Sequence, residues 1–111
     1  MPTTALLTLR RFSAANAERH DMEYPENIEW DGKDWALVIA DSVGAICRLT
    51  REWEDLDDEE SGELYDEIGD AVVLLDQLCT EIGGSLDQVL ARRFNDKSKD
   101  LGSGIMLPVR P

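Results

Sequence analysis

The chain reads as an all-α fold, a four-helix bundle formed by a single domain over residues 1–111. Three observations predict this. Apolar residues recur at steps of three and four along long stretches, the period of a helix with one buried face. No segment alternates apolar and polar residues in the manner of a strand. The breaks between periodic stretches are short, EDLDDEES and Gly83–Gly84, so consecutive helices are expected to run antiparallel. A chain of 111 residues has room for one core and no second.

The first helix is expected from about Thr4 to Asp21, with Leu6, Leu9 and Phe12 on one face. A loop follows, MEYPENIEWDGKD, punctuated by Pro25 and Gly32 and carrying Trp30. Asp34 reads as the N-cap of the second helix, WALVIADSVGAICRLTREW. Within it Ile39, Val43, Ile46, Thr50 and Trp53 form a packing seam, matched on the third helix by Ile68, Val72 and Leu75 within an apolar face of Leu64, Ile68, Ala71, Val72, Leu75, Cys79 and Ile82. The third helix should run from about Glu60 to Ile82 and stop at Gly83–Gly84, where a residue with positive φ can cap it. Ser85 with Gln88 reads as a capping box for the fourth helix, SLDQVLARRFNDKSKD. The closing LGSGIMLPVRP, with two glycines and two prolines, is expected to be an extended tail from about residue 101.

Hydrophobic residues make up 42% and charged residues 32% of the chain, a globular rather than a disordered composition. The net charge of −13 decides more. It repels a nucleic-acid backbone and an anionic membrane surface, since no basic excess exists to replace their counterions. It favours divalent cations or a basic protein partner instead. A free nucleotide escapes the exclusion, because a metal ion can bridge carboxylates and phosphates. Cys47 and Cys79 fall among apolar neighbours and read as buried thiols in a reducing compartment rather than a disulfide framework. The opening MPTTALLTLRRF is too short and too interrupted for a secretory signal, and no run reaches membrane-spanning length. A soluble, cytoplasmic protein is expected. Four helices in so short a chain leave apolar surface uncovered, which predicts a homo-oligomer, most simply a dimer.

The stretch ELYDEIGDAVVLLDQL carries the chemistry. It places Glu63, Asp66, Glu67 and Asp70 at i, i+3, i+4 and i+7, one face of a helix made of carboxylates. Like charges at this spacing repel by a few tenths of a kcal/mol per pair. One reading is a solvated acidic face whose first-turn members, Glu63 and Asp66, complement the helix dipole. That leaves Asp70 without a reason. The other reading is a divalent-metal site, since Mg²⁺ takes oxygen ligands and helical bundles build such sites from inward carboxylates. Taken alone, E-x-x-D favours the solvated face.

Context changes the balance. EIGDAVVLLDQLCTEIGGSLDQVLARRFNDKS resembles the second half of the MazG-like all-α nucleoside triphosphate pyrophosphohydrolases. In these an E-x-x-D pair opens a long apolar helix, and a Gly-capped turn leads to a short basic helix containing an Asn. ANAER, EW, VGAICRLTR and the closing KSKDLGSGIML are similar as well, so the resemblance covers roughly residues 9 to 107. It implies hydrolysis of a nucleoside triphosphate to a monophosphate and pyrophosphate with Mg²⁺ (or Mn²⁺), in dimers or dimers of dimers, in a bacterial or phage-infected cell. By position it implies Glu67 and Asp70 as catalytic metal ligands. The basic residues Arg48 and Arg51 on the second helix, with Arg92, Arg93, Lys97 and Lys99 near the end, have two readings. One is ordinary helix C-terminal basicity. The other is phosphate contact, the role the resemblance implies for Arg51, Arg93 and Lys97, with Asn95 at the substrate.

One departure stands out. The family pairs its third-helix acids with E-x-x-E on the second helix, and those positions here are Ser42 and Ala45. Two of four carboxylates are missing, so metal binding should be weak. Asp41 points about 100° away from Ser42 on an ideal helix. Glu63 and Asp66 are the acids left to hold a displaced metal. Alternatively, Ser42 and Ala45 flank Gly44 simply to let two helices pack closely. Trp30 is placed to stack on a base, although tryptophans at the border of a small bundle are more often core. Two functions of different class follow: a divergent pyrophosphohydrolase, or an inactive family fold that binds a nucleotide or a basic protein partner.

Overall fold

The structure, a computed structural model, describes residues 8–109. Among these the regular elements are all helical: α1 (Leu9–Glu23), α2 (Gly32–Thr50), α3 (Asp58–Glu81) and α4 (Leu86–Leu101). Short 3-10 turns over Pro25–Glu29 and Trp53–Asp55 separate α1 from α2 and α2 from α3. The all-α expectation holds.

Local chemistry sets each boundary. Thr8 is extended and its side chain accepts from Arg11 N at 3.1 Å, so α1 begins at Leu9. The expected start at Thr4, with Leu6, lies outside the described residues. The cap of α2 is Asp31, not Asp34. Asp31 accepts from Lys33 N at 2.9 Å and Asp34 N at 3.2 Å, while the Asp34 carboxylate returns to Asp31 N at 2.9 Å. Asp34 is therefore the third residue of a capping box. At the other end Thr50 Oγ1 bonds back to Ile46 O at 2.9 Å, and Trp53 falls into a separate turn, exposed. The expected seam thus ends before Trp53. Asp57 caps α3 through Glu60 N at 2.8 Å.

The glycines placed at helix ends by the sequence do that work. Gly83 takes φ 87°, with Gly84 N donating to Cys79 O at 2.8 Å and Gly83 N to Thr80 O at 3.1 Å. Gly102 repeats the arrangement at φ 70° after α4. Both are the left-handed closures that consume the last orphan carbonyls of a helix. Ser85 holds the N-cap position of α4 with extended backbone. The tail beyond Gly102 is irregular but not loose. Asn95 Oδ1 accepts from Leu107 N at 2.7 Å and Asn95 Nδ2 donates to Leu107 O at 3.0 Å.

α3 is the central element, packed most extensively on α2 and also on α1 and α4. The α1–α3 joint is polar. Asp76 is only 1% exposed and accepts from Ser13 Oγ and from Asn16 Nδ2 at 2.9 Å. Asn16 Nδ2 also reaches Val73 O at 3.0 Å. Near the other end of α1, the His20 ring lies 6.1 Å from Tyr24 and 5.9 Å from Trp35, and Asn27 Nδ2 is 3.3 Å from its Nε2. Trp35 is buried and bolts the start of α2 to α1.

The paired seams differ from expectation. Ile68, Val72 and Leu75 are 45%, 40% and 42% exposed, and Val43 is exposed too. Of the apolar face expected on α3, Leu64 and Ala71 are buried; on α2 Cys47, expected to be buried, is exposed. An apolar stripe gives the direction of a face but not which neighbour covers it, and α3 carries two. No helix among the described residues is long and apolar enough to cross a membrane.

Candidate functional site

The α2–α3 contact holds the residues singled out by the sequence. The helices run antiparallel, since Ser42 meets Glu67 while Glu52 shares a cleft with Glu60. Ser42 is buried and its Oγ lies 3.2 Å from Glu67 Oε2, with Glu67 O at 3.5 Å. The hydroxyl donates, and the half-buried Glu67 carboxylate accepts with lone pairs to spare.

From this contact an open cleft of about 450 Å³ extends toward the start of α3. α2 lines it with Ala45, Arg48, Leu49 and Glu52. α3 lines it with Glu60, Glu63, Asp66 and Glu67. Positions 42 and 45 of α2 thus lie on the side of α3 that carries Glu67, and Ala45 offers the cleft a methyl group.

Charge dominates here. Five carboxylates face a single guanidinium, that of Arg48. Arg48 folds back along its own helix, its Nη1 3.5 Å from where a Cβ on Gly44 would stand. Among the described residues no other heavy atom outside the local backbone comes within 4 Å of that point, so Gly44 makes room for Arg48 and not for a neighbouring described helix. Among the described residues no ion pair engages Arg48. Glu60 sits at the cleft mouth. A backbone hydrogen bond at Asp57 lowers its pKa, but the negative charges of Asp57 and Glu52, with partial desolvation, leave the Glu60 carboxyl above the ordinary carboxylate value.

The other candidate residues scatter. Asp70 is exposed, one turn beyond the cleft lining. Arg51, Arg93 and Lys97 are exposed and stand outside the lining, and Asn95 spends its amide on Leu107. Trp30 is half-buried, its ring meeting Trp35 edge-on at 4.9 Å. The closeness of Glu67, Glu63 and Asp66 stops short of coordination. Among the described residues no three His, Cys, Asp or Glu side chains converge to hold a metal ion. As placed, Glu63, Asp66, Glu67 and Asp70 do not fit a Mg²⁺ shell.

One placement escapes the sequence: the Ser42 hydroxyl donates to Glu67. Of the second-helix arginines read as phosphate contacts, Arg48 lines the cleft and Arg51 does not. No family model, no curated protein and no solved structure matches this chain.

Proposed function

We propose that this chain is a MazG-like nucleoside triphosphate pyrophosphohydrolase-family protein that engages a nucleotide at the α2–α3 cleft, with hydrolysis far below that of a four-carboxylate site. The observation that carries the reading is the Ser42–Glu67 hydrogen bond at 3.2 Å. It sets Ser42 of α2 against Glu67 of α3, which supports the register that the resemblance implies. The reaction is attack of water on a nucleoside triphosphate, releasing pyrophosphate and a monophosphate.

This chain's own residues have narrower tasks. Glu67, held by Ser42, presents a fixed acceptor at the deep end of the cleft. Arg48 supplies the cation nearest to it, free of a carboxylate partner and able to meet a phosphate oxygen. Arg51, Arg93 and Lys97 add phosphate contacts only if the nucleotide reaches beyond the cleft, and Trp30 offers one ring edge. Hydrolysis at this site is slow because Ser42 and Ala45 contribute no charge.

A second reading has its own support. Five carboxylates around one open cleft, without a converging metal set, suit the basic side chains of a protein partner. A panel of nucleoside triphosphates with Mg²⁺ or Mn²⁺, scored for pyrophosphate, separates the two. The first reading expects slow, metal-dependent release that Glu67→Gln abolishes. Complete absence of both release and nucleotide binding would leave the second.

A further inference from the structure

We infer that the groove between the start of α1, the start of α4 and the segment after α4 binds a medium-chain aliphatic carboxylate, with its hydrocarbon along the apolar walls and its head at Arg10. The inference is independent of the α2–α3 cleft and of any nucleotide.

Three pieces of chain make this open groove, whose volume is about 470 Å³. Small-molecule pockets run from roughly 300 to 1,000 Å³. Its walls are hydrocarbon: Leu9 from α1, Leu90 and Ala91 from α4, and Leu107, Pro108 and Val109 from the segment beyond. Ala91 is buried and forms the floor, whereas Leu90 and Val109 are exposed and present apolar surface to a ligand. The third wall is held in place. Asn95 grips both the N–H and the carbonyl of Leu107, at 2.7 and 3.0 Å, and the ring of Pro108 restricts the backbone that follows. The clamp keeps Leu107 in the same groove as Leu9 and Leu90, so the walls exist before any ligand arrives.

Charge selects the head. The chain carries −13 overall, yet the field at this groove is locally positive. Arg10 lines the groove, is exposed, and among the described residues makes no ion pair. Thr8, Leu9 and Arg10 stand at the start of α1, and Asp87 and Gln88 at the start of α4. Both helices therefore bring their positive ends to the groove. No acid in the first turn of α1 neutralises that end. Asp87 is the one carboxylate of the lining, and it already has a partner. A guanidinium and a carboxylate match as a forked, charge-assisted pair. A cationic head would be repelled by Arg10. A dianionic phosphate head would meet the −13 background with twice the charge, so a single carboxylate suits a single arginine.

Calorimetry of the full chain with octanoate, decanoate and decanol tests this. Decanoate should bind one to one and about tenfold tighter than octanoate, since each buried methylene tightens Kd roughly threefold to fourfold. Arg10→Gln should weaken decanoate about tenfold or more and leave decanol unchanged. Arg10 is exposed, so this variant keeps its fold. Asn95→Ala should weaken both ligands, because it releases the Leu107 wall. Amide shifts induced by decanoate should centre on Leu9, Leu90 and Leu107. Decanol binding as tightly as decanoate, an indifferent Arg10→Gln, or shifts centred elsewhere would each overturn the inference. So would the absence of saturable binding at millimolar decanoate, which would leave the groove to residues 1–7 of the chain or to a second copy.

Discussion

Glu67 and Asp76 are carboxylates about two and a half turns apart on the same helix, and they lead opposite lives. Asp76 is sealed in the α1–α3 joint and receives Ser13 and Asn16. Glu67 stands at the edge of an open cleft and receives one serine, with more acids beside it. Burying a carboxylate costs several kcal/mol unless hydrogen bonds replace its water, and Asp76 is given those bonds by a single turn of α1. Glu67 keeps its water and its spare lone pairs. An acid surrounded by neutral donors is a structural joint, while an acid surrounded by acids is held ready for something positive.

The contrast predicts a graded set of responses. The largest belongs to Asp76. Asp76→Ala leaves the Ser13 hydroxyl and the Asn16 amide without their acceptor inside the α1–α3 joint, and should cost about 3–5 kcal/mol in urea unfolding. A loss below about 1 kcal/mol would mean that water already enters the joint.

Next comes the cleft. Ser42→Glu with Ala45→Glu adds two acids against Glu67 and should destabilise the metal-free chain by about 1–3 kcal/mol, through burial of charge at position 42 and like-charge repulsion. The same variant should gain more thermal stability from millimolar Mg²⁺ than the parent does, because a new ligand set binds the folded state. Equal metal responses of the two proteins would break the register proposed for α2 and α3.

The smallest effect is at Glu60, which belongs to the cleft yet is a cap residue of α3. Its folded-state pKa lies above the ordinary value, the backbone hydrogen bond at Asp57 being outweighed by the charges of Asp57 and Glu52. The protonated form is therefore favoured by folding. Its contribution is fully present below the unfolded pKa of about 4.3 and is lost as pH rises through the higher folded value. At neutral pH Glu60→Gln should give a slight rise in Tm that vanishes near pH 4. Melts of both proteins across that range check the sign.

How much of this was legible depends on the kind of signal. Gly83–Gly84 and Gly102 announce their helix ends because only a few residues accept a positive φ, and each sits where the sequence puts it. The facing of Ser42 and Glu67 followed from motif order. The fate of Ile68, Val72 and Leu75 did not, since their spacing fits an inner or an outer seam equally well. Asp31 and Asp34 were both visible, but a capping box needs the reciprocal bond to tell which is the cap. Asp76 lies inside the apolar run AVVLLDQLC. A lone acid within an apolar run is itself the clue, for such a group is seldom buried without a partner.

The Asn95 side chain deserves a last word about motion. Its amide presents one donor and one acceptor to Leu107 in the manner of a neighbouring strand, so a segment outside any helix acquires one rung of a ladder. Hydrogen exchange should register that rung. The Leu107 N–H should exchange far more slowly than that of Gly104, close to the rate of amides in α4. Removing the rung with Asn95→Ala would let the segment from Ser103 to Val109 open as one unit, at a free energy independent of the rest of the bundle.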